Sequence, residues 1–149
     1  MDFTDFKTHK MNTTLIAERV LDHTEMLCEA LRQNYIDQCI RGHEGSLRRL
    51  EGNTDTAIGY HQRCIAELKA GNSPVKFTIE SGRKYHKIVF TDGGGQRSVH
   101  AFVDRNTGEV YKSASWKAPA KGVRYDLRLI KDREWLLENA DWAGGYLYA

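Results

Sequence analysis

The stretch Ile65-Ala66-Glu67-Leu68-Lys69-Ala70-Gly71-Asn72-Ser73-Pro74-Val75-Lys76-Phe77-Thr78-Ile79 changes grammar at its middle. Before Asn72-Ser73-Pro74, apolar residues recur at helical spacing. After it, apolar and polar residues alternate, which is the period of a half-buried strand. Upstream, Ile16, Val20, Leu27, Leu31 and Tyr35 fall three, four or seven apart, with Leu21 and Met26 beside them. Asn12-Thr13-Thr14 supplies N-cap candidates, so a long helix is expected over about 13–41, stopped by Gly42. A second helix is expected over about 54–70, with Ile58, Cys64, Ile65 and Leu68 inward, capped by Asn53 or Thr54 and ended by Gly71. A short helix around 47–50 fits between them.

Downstream, Lys76 to Ile79, Tyr85 to Thr91, Ser98 to Val103 and Glu109 to Ala114 read as strands. Asp92-Gly93-Gly94-Gly95 and Asp104-Arg105-Asn106-Thr107-Gly108 are the turns between them. Val123, Tyr125, Leu127 and Leu129 alternate with charged residues as a further strand. A short helix over about 131–140 and a strand at Tyr146-Leu147-Tyr148 close the chain. The expected fold class is α+β: an N-terminal helical hairpin (about 12–71) packed on a C-terminal antiparallel β-sheet (about 75–149) with a short C-terminal helix. At 149 residues, 1–149 is read as one domain.

Composition excludes several classes. Hydrophobic residues at 40% and charged residues at 28% are globular values. No run reaches 18 apolar residues, and the polar start MDFTDFKTHK lacks the order of a signal peptide. Three cysteines, Cys28, Cys39 and Cys64, are too few and odd in number for a secreted disulfide framework. A cytoplasmic protein with reduced thiols and no membrane contact is the expectation.

Charge is uneven. Residues 1–74 hold nine Lys and Arg against eleven Asp and Glu; residues 75–149 hold thirteen against nine. Within 83–128 ten basic residues face four acidic ones, with aromatics interleaved. Cations neutralise phosphates and exposed aromatic faces stack bases. The candidate ligand-binding set is therefore Arg83, Lys87, Arg97, Lys112, Trp116, Lys117, Lys121, Arg124 and Tyr125. Its densest part is the loop from Ser113 to Tyr125. The competing account is a solvated sheet face with Trp116 as the hydrophobic plug of a packed loop. Asp92-Gly93-Gly94-Gly95-Gln96-Arg97 could form an anion nest, although a hairpin tip explains it as well.

Catalytic and metal signals are weaker. Cys39 with His43, and His61 with Cys64, have helical spacing and could close a zinc site. Gly42 is read as ending the first helix before His43, so no metal or cofactor is expected. His86 and His100 lie on adjacent strands and could work with Glu109 or Asp126 as acid and base. Glu134, Glu138 and Asp141 read as a solvated face. No nucleophile signature is present, and the expected role is binding rather than catalysis.

Ser98-Val99-His100-Ala101-Phe102-Val103-Asp104, Thr107 to Lys112, Ala114 to Arg124 and Gly144-Gly145-Tyr146-Leu147-Tyr148 resemble a family of small uncharacterised bacteriophage proteins. The resemblance covers about the last 50 residues. It implies an accessory protein acting in a bacterial cytoplasm, with nucleic acid, a nucleotide or a host protein as partner. Two functions are carried forward. One is a non-enzymatic binder of a phosphate-bearing ligand. The other is a protein–protein module, either a virion component or an inhibitor of a host or defence protein.

Overall fold

The computed structural model describes the backbone of residues 3–50 and 55–148, and the side chains of 15–50 and 56–148. Two helices come first, α1 (Phe3–Arg49) and α2 (Asp55–Lys69). Five strands follow: β1 (Lys76–Ser81), β2 (Tyr85–Thr91), β3 (Arg97–Asp104), β4 (Glu109–Lys112) and β5 (Tyr125–Asp126). A helix α3 (Ile130–Asn139) and a 3-10 turn (Gly145–Leu147) end the chain. The strands pair antiparallel in sequence order, so each connection joins nearest neighbours and the sheet is a meander. The fold is α+β.

The core lies between α1 and one face of the sheet. Val20, Leu27 and Leu31 of α1 are fully buried, and they cluster with Ile88, Ala101, Val103, Val110, Leu136 and Leu147. The Thr24 hydroxyl, buried in the same seam, donates to the Val20 carbonyl at 2.7 Å, which satisfies it within the helix. His86, Val103 and Val110 are opposite one another across β2, β3 and β4, and that register sets the helix-covered face. Lys87, Phe102 and Tyr111 form the next row and therefore point to the other, open face.

Five boundary expectations need correction. The helix neither starts at Asn12-Thr13-Thr14 nor stops at Gly42; α1 runs through both, and residues 47–49 are its last turn. A glycine costs a helix only about 1 kcal/mol, and α1 is held against α2 beyond Gly42. The glycine that does end a helix is Gly71, in the left-handed conformation at φ 89°. The caps Asn53 and Thr54 lie outside the described residues. Of the strand expected over Val123 to Leu129, only Tyr125–Asp126 forms. The Asp126 carboxylate accepts the Arg128 N–H, and Asp132 accepts the Asp126 N–H, which turns the chain into α3. Residues 146–148 form no strand. Tyr146 and Leu147 are consecutive and both buried, which a half-buried strand forbids, and Asp141 accepts the N–H groups of Gly145 and Tyr146.

Candidate functional site

The open face carries most of the candidate cations. Trp116 projects from a tight loop after β4. Ser113 bridges Pro119, and the Ser115 hydroxyl accepts the N–H groups of Lys117 and Ala118. This stitching presents Trp116 and Lys117 at the loop tip. Lys87 Nζ lies 4.4 Å from the Trp116 ring centre and 5.9 Å from that of Phe102, so the indole folds over the open face. The Arg97 guanidinium lies 5.3 Å from the same indole and is also ion-paired with Glu80. The electron-rich ring thus holds two cations side by side.

Next to this pair, the tip of the β1–β2 hairpin opens into a cleft of about 340 Å³. Its lining includes Arg83, Lys84, Lys87 and Lys117, with Glu80 as its acidic member. The Arg105 guanidinium donates to the Gly82 carbonyl and ties the hairpin tip to the turn after β3. Tyr85 and Phe102 form the aromatic floor, with ring centres 5.7 Å apart. Tyr111 continues that floor, and burial together with the Glu109 carboxylate pushes its hydroxyl up to about 12. The structure therefore gathers Arg83, Lys87, Arg97, Trp116 and Lys117. It adds Lys84, a basic neighbour that the sequence reading counted as charge without placing it in the set.

The other candidates sit elsewhere. Lys112 pairs with Ala101 of the helix-covered face, and its Nζ lies 4.0 Å from the Tyr148 ring centre. Arg124 donates to the carbonyls of Leu147, Lys121 and Gly122, which makes it a clamp on the chain terminus. Tyr125 packs against the core, stacks on Trp135 at 5.2 Å and donates to the Tyr146 carbonyl at 2.7 Å. It is no stacking platform for a ligand of the open face. Lys121 is exposed on the stretch between the Trp116 loop and Arg124.

The glycine loop is no anion nest. The Asp92 carboxylate already accepts the N–H groups of Gly94 and Gln96, both at 2.9 Å. The histidines on the strands are likewise committed. His86 is buried and bonded to the Ser81 hydroxyl at 2.7 Å; burial and then Arg105 lower its affinity for a proton. His100 shares a 2.8 Å hydrogen bond with the Tyr146 hydroxyl, and burial holds it down at about 4. Glu109 accepts instead from Tyr111, and Asp126 serves the turn before α3.

A second cavity, of about 750 Å³, lies beside the α1–α2 seam. Tyr35, Cys39, His43, Tyr60 and Cys64 are among its lining residues. Because α1 continues past Gly42, His43 stays helical and its Nδ1 meets Nδ1 of His61 at 2.8 Å. Each thiol sits beside a tyrosine one turn away. Burial and then the Cys39 thiol push the Tyr35 hydroxyl up to about 12, and a hydrogen bond with Cys64 raises Tyr60. Among the described residues, no group of three or more His, Cys, Asp or Glu side chains is placed to hold a metal ion as the side chains stand. No described helix is long and apolar enough to cross a membrane.

Fold and site together define a class: an α+β protein whose meander sheet is covered by helices on one face and bears a cation–aromatic cluster on the other. The chain matches the family of unknown function DUF7717 over residues 3–149, and it belongs to that family. No curated protein and no solved structure matches it.

Proposed function

We propose that this protein binds a phosphate-bearing ligand, a nucleotide or a nucleic-acid strand, on the open face of its sheet, without catalysing a reaction on it. The observation that carries the reading is the placement of Lys87, Lys117, Arg83 and Lys84 around one cleft. Glu80, the acidic group in that lining, is neutralised by Arg97. Four cations thus face a volume of about 340 Å³, the lower end of the range for small-molecule sites. Trp116 is 41% exposed, so it still offers part of its ring to a base while it carries the two cations. The resemblance of the last 50 residues to bacteriophage proteins supports an accessory role in a bacterial cytoplasm, where free thiols also persist.

The test is a thermal-shift panel of mononucleotides, cyclic dinucleotides, RNA and DNA at two salt concentrations. A ligand at about 100 times its Kd adds about 2.7 kcal/mol of apparent stability. A shift that survives salt identifies a small nucleotide in the cleft. A shift confined to polymers and lost in salt identifies a strand lying across the face. No shift with any phosphate compound overturns the reading.

A second reading, a protein-interaction module, has its own support. Leu129, Ile130 and Trp135 are exposed around α3, with Ile130 at 64%. Trp135 and Ile130 also border a surface hollow of about 750 Å³. Large apolar side chains left in water at one place favour a partner surface. Under this reading Ile130→Asp abolishes capture of the partner while the response to phosphate compounds stays unchanged.

A further inference from the structure

The α1–α2 hairpin brings together four side chains of one chemistry. The helices run antiparallel, α1 ending at Arg49 and α2 beginning at Asp55. His43 lies six residues before the end of α1 and His61 six residues after the start of α2, so they stand level, and their 2.8 Å contact confirms it. Cys39 and Cys64 sit one turn further along the two helices. Cys39 shares the face of His43 at four residues, and Cys64 that of His61 at three. Both thiols line the same cavity as His43, and neither is in a disulfide.

We propose that this cavity is a site for a thiophilic divalent cation of the zinc class, held by Cys39 and His43 from α1 and by His61 and Cys64 from α2. Imidazole and thiolate donors in a two-and-two set suit tetrahedral zinc. Two nitrogens bound to one zinc at 2.0–2.1 Å stand about 3.3 Å apart. The imidazoles therefore need to part by only about 0.5 Å to admit the ion. In the bare hairpin each thiol stands beside its tyrosine neighbour, Tyr35 or Tyr60, so binding requires both thiols to leave those partners for the metal. Each thiol releases its proton to solvent on binding, so two protons leave per ion and binding strengthens as pH rises. Without metal α2 is already packed against α1, so the metal adds rigidity to a formed element rather than creating it. Arg63 and Glu67 also border the cavity.

The experiment uses the untagged, chelator-treated full chain and cobalt(II) as a spectroscopic stand-in for zinc. The expected result is one equivalent bound, d–d absorption of tetrahedral intensity, a near-ultraviolet thiolate-to-cobalt band, and displacement by zinc. Cys39→Ser and Cys64→Ser each remove about half of the thiolate band and weaken binding at least about tenfold. The double variant H43Q/H61Q, which still unfolds cooperatively without metal, loses tight binding altogether. Cobalt bound without a thiolate band, binding unchanged in either cysteine variant, or no binding at all each overturns the site. The phosphate-ligand reading is independent, since its residues lie on the opposite side of the sheet.

Discussion

The two faces of the sheet carry similar side chains under opposite rules. On the helix-covered face three polar side chains have fixed partners: His86 the Ser81 hydroxyl, His100 the Tyr146 hydroxyl, Tyr125 the Tyr146 carbonyl. On the open face, Lys87 meets only aromatic rings, and Arg97 shares an indole with it while pairing with Glu80. Burial explains the difference. A polar group removed from water must be satisfied inside the protein, whereas a half-exposed cation keeps its hydration and remains available. The covered face therefore contributes stability, and the open face retains unspent charge.

The largest break in that comparison is on the covered side. Leu27→Ala removes a fully buried side chain from the seam between α1 and the sheet and costs about 2–5 kcal/mol, measured by chemical denaturation. A loss under 1 kcal/mol means that α1 is not packed on the sheet as described.

His100 gives the covered face a pH signature. Its folded-state affinity for a proton is depressed, to about 4, below the ordinary value of 6.5. The unfolded chain therefore takes up the proton first. The stability tied to neutral His100 is complete above pH 6.5 and drains away as pH falls toward 4, by about 3 kcal/mol. His100→Asn flattens this part of the Tm-against-pH curve relative to the native chain. An unchanged slope in the variant assigns the acid sensitivity to another group.

Much of this contrast is legible in the sequence, for reasons that differ by element. Alternation placed β2 and β3 because one face of each is covered. It failed at Val123 to Leu129, where Asp126 and Asp132 capture backbone N–H groups, and at Tyr146-Leu147, where both side chains are buried. Gly42 misled because a glycine ends a helix only where the backbone turns left-handed, as at Gly71. Basic residues near the Trp116 loop pointed to the open face, but spacing alone does not show that Arg124 and Tyr125 reach the C-terminal segment instead. That depends on contacts between residues more than 20 positions apart. The level placement of His43 and His61 depends on the same kind of information, since it requires the length of α1.

The loops repeat the comparison at smaller scale. Asp92 uses its own carboxylate to satisfy Gly94 and Gln96, so the glycine loop is closed on itself. Asp92→Ala strips two N–H partners at an exposed turn and costs about 1 kcal/mol by denaturation, with no change toward phosphate ligands. A change in ligand response on this substitution reopens the glycine loop as part of the site.

The smallest stability effect carries the sharpest functional distinction. Lys117 stands at the tip of the Trp116 loop, exposed, and its side chain borders the hairpin cleft. The loop is held by the Ser115 hydroxyl and the bridge to Pro119, not by Lys117. Lys117→Ala therefore leaves the denaturation midpoint within about 0.5 kcal/mol of the native value. Removing one of four cations around the cleft nonetheless weakens a bound phosphate through lost charge and a lost donor. With Lys87→Ala added, the thermal shift produced by the phosphate ligand disappears at moderate salt, while the unliganded protein unfolds much as before. A ligand shift that survives both substitutions means that the cations of the open face are solvated charge, and it moves the function to the apolar surface around α3.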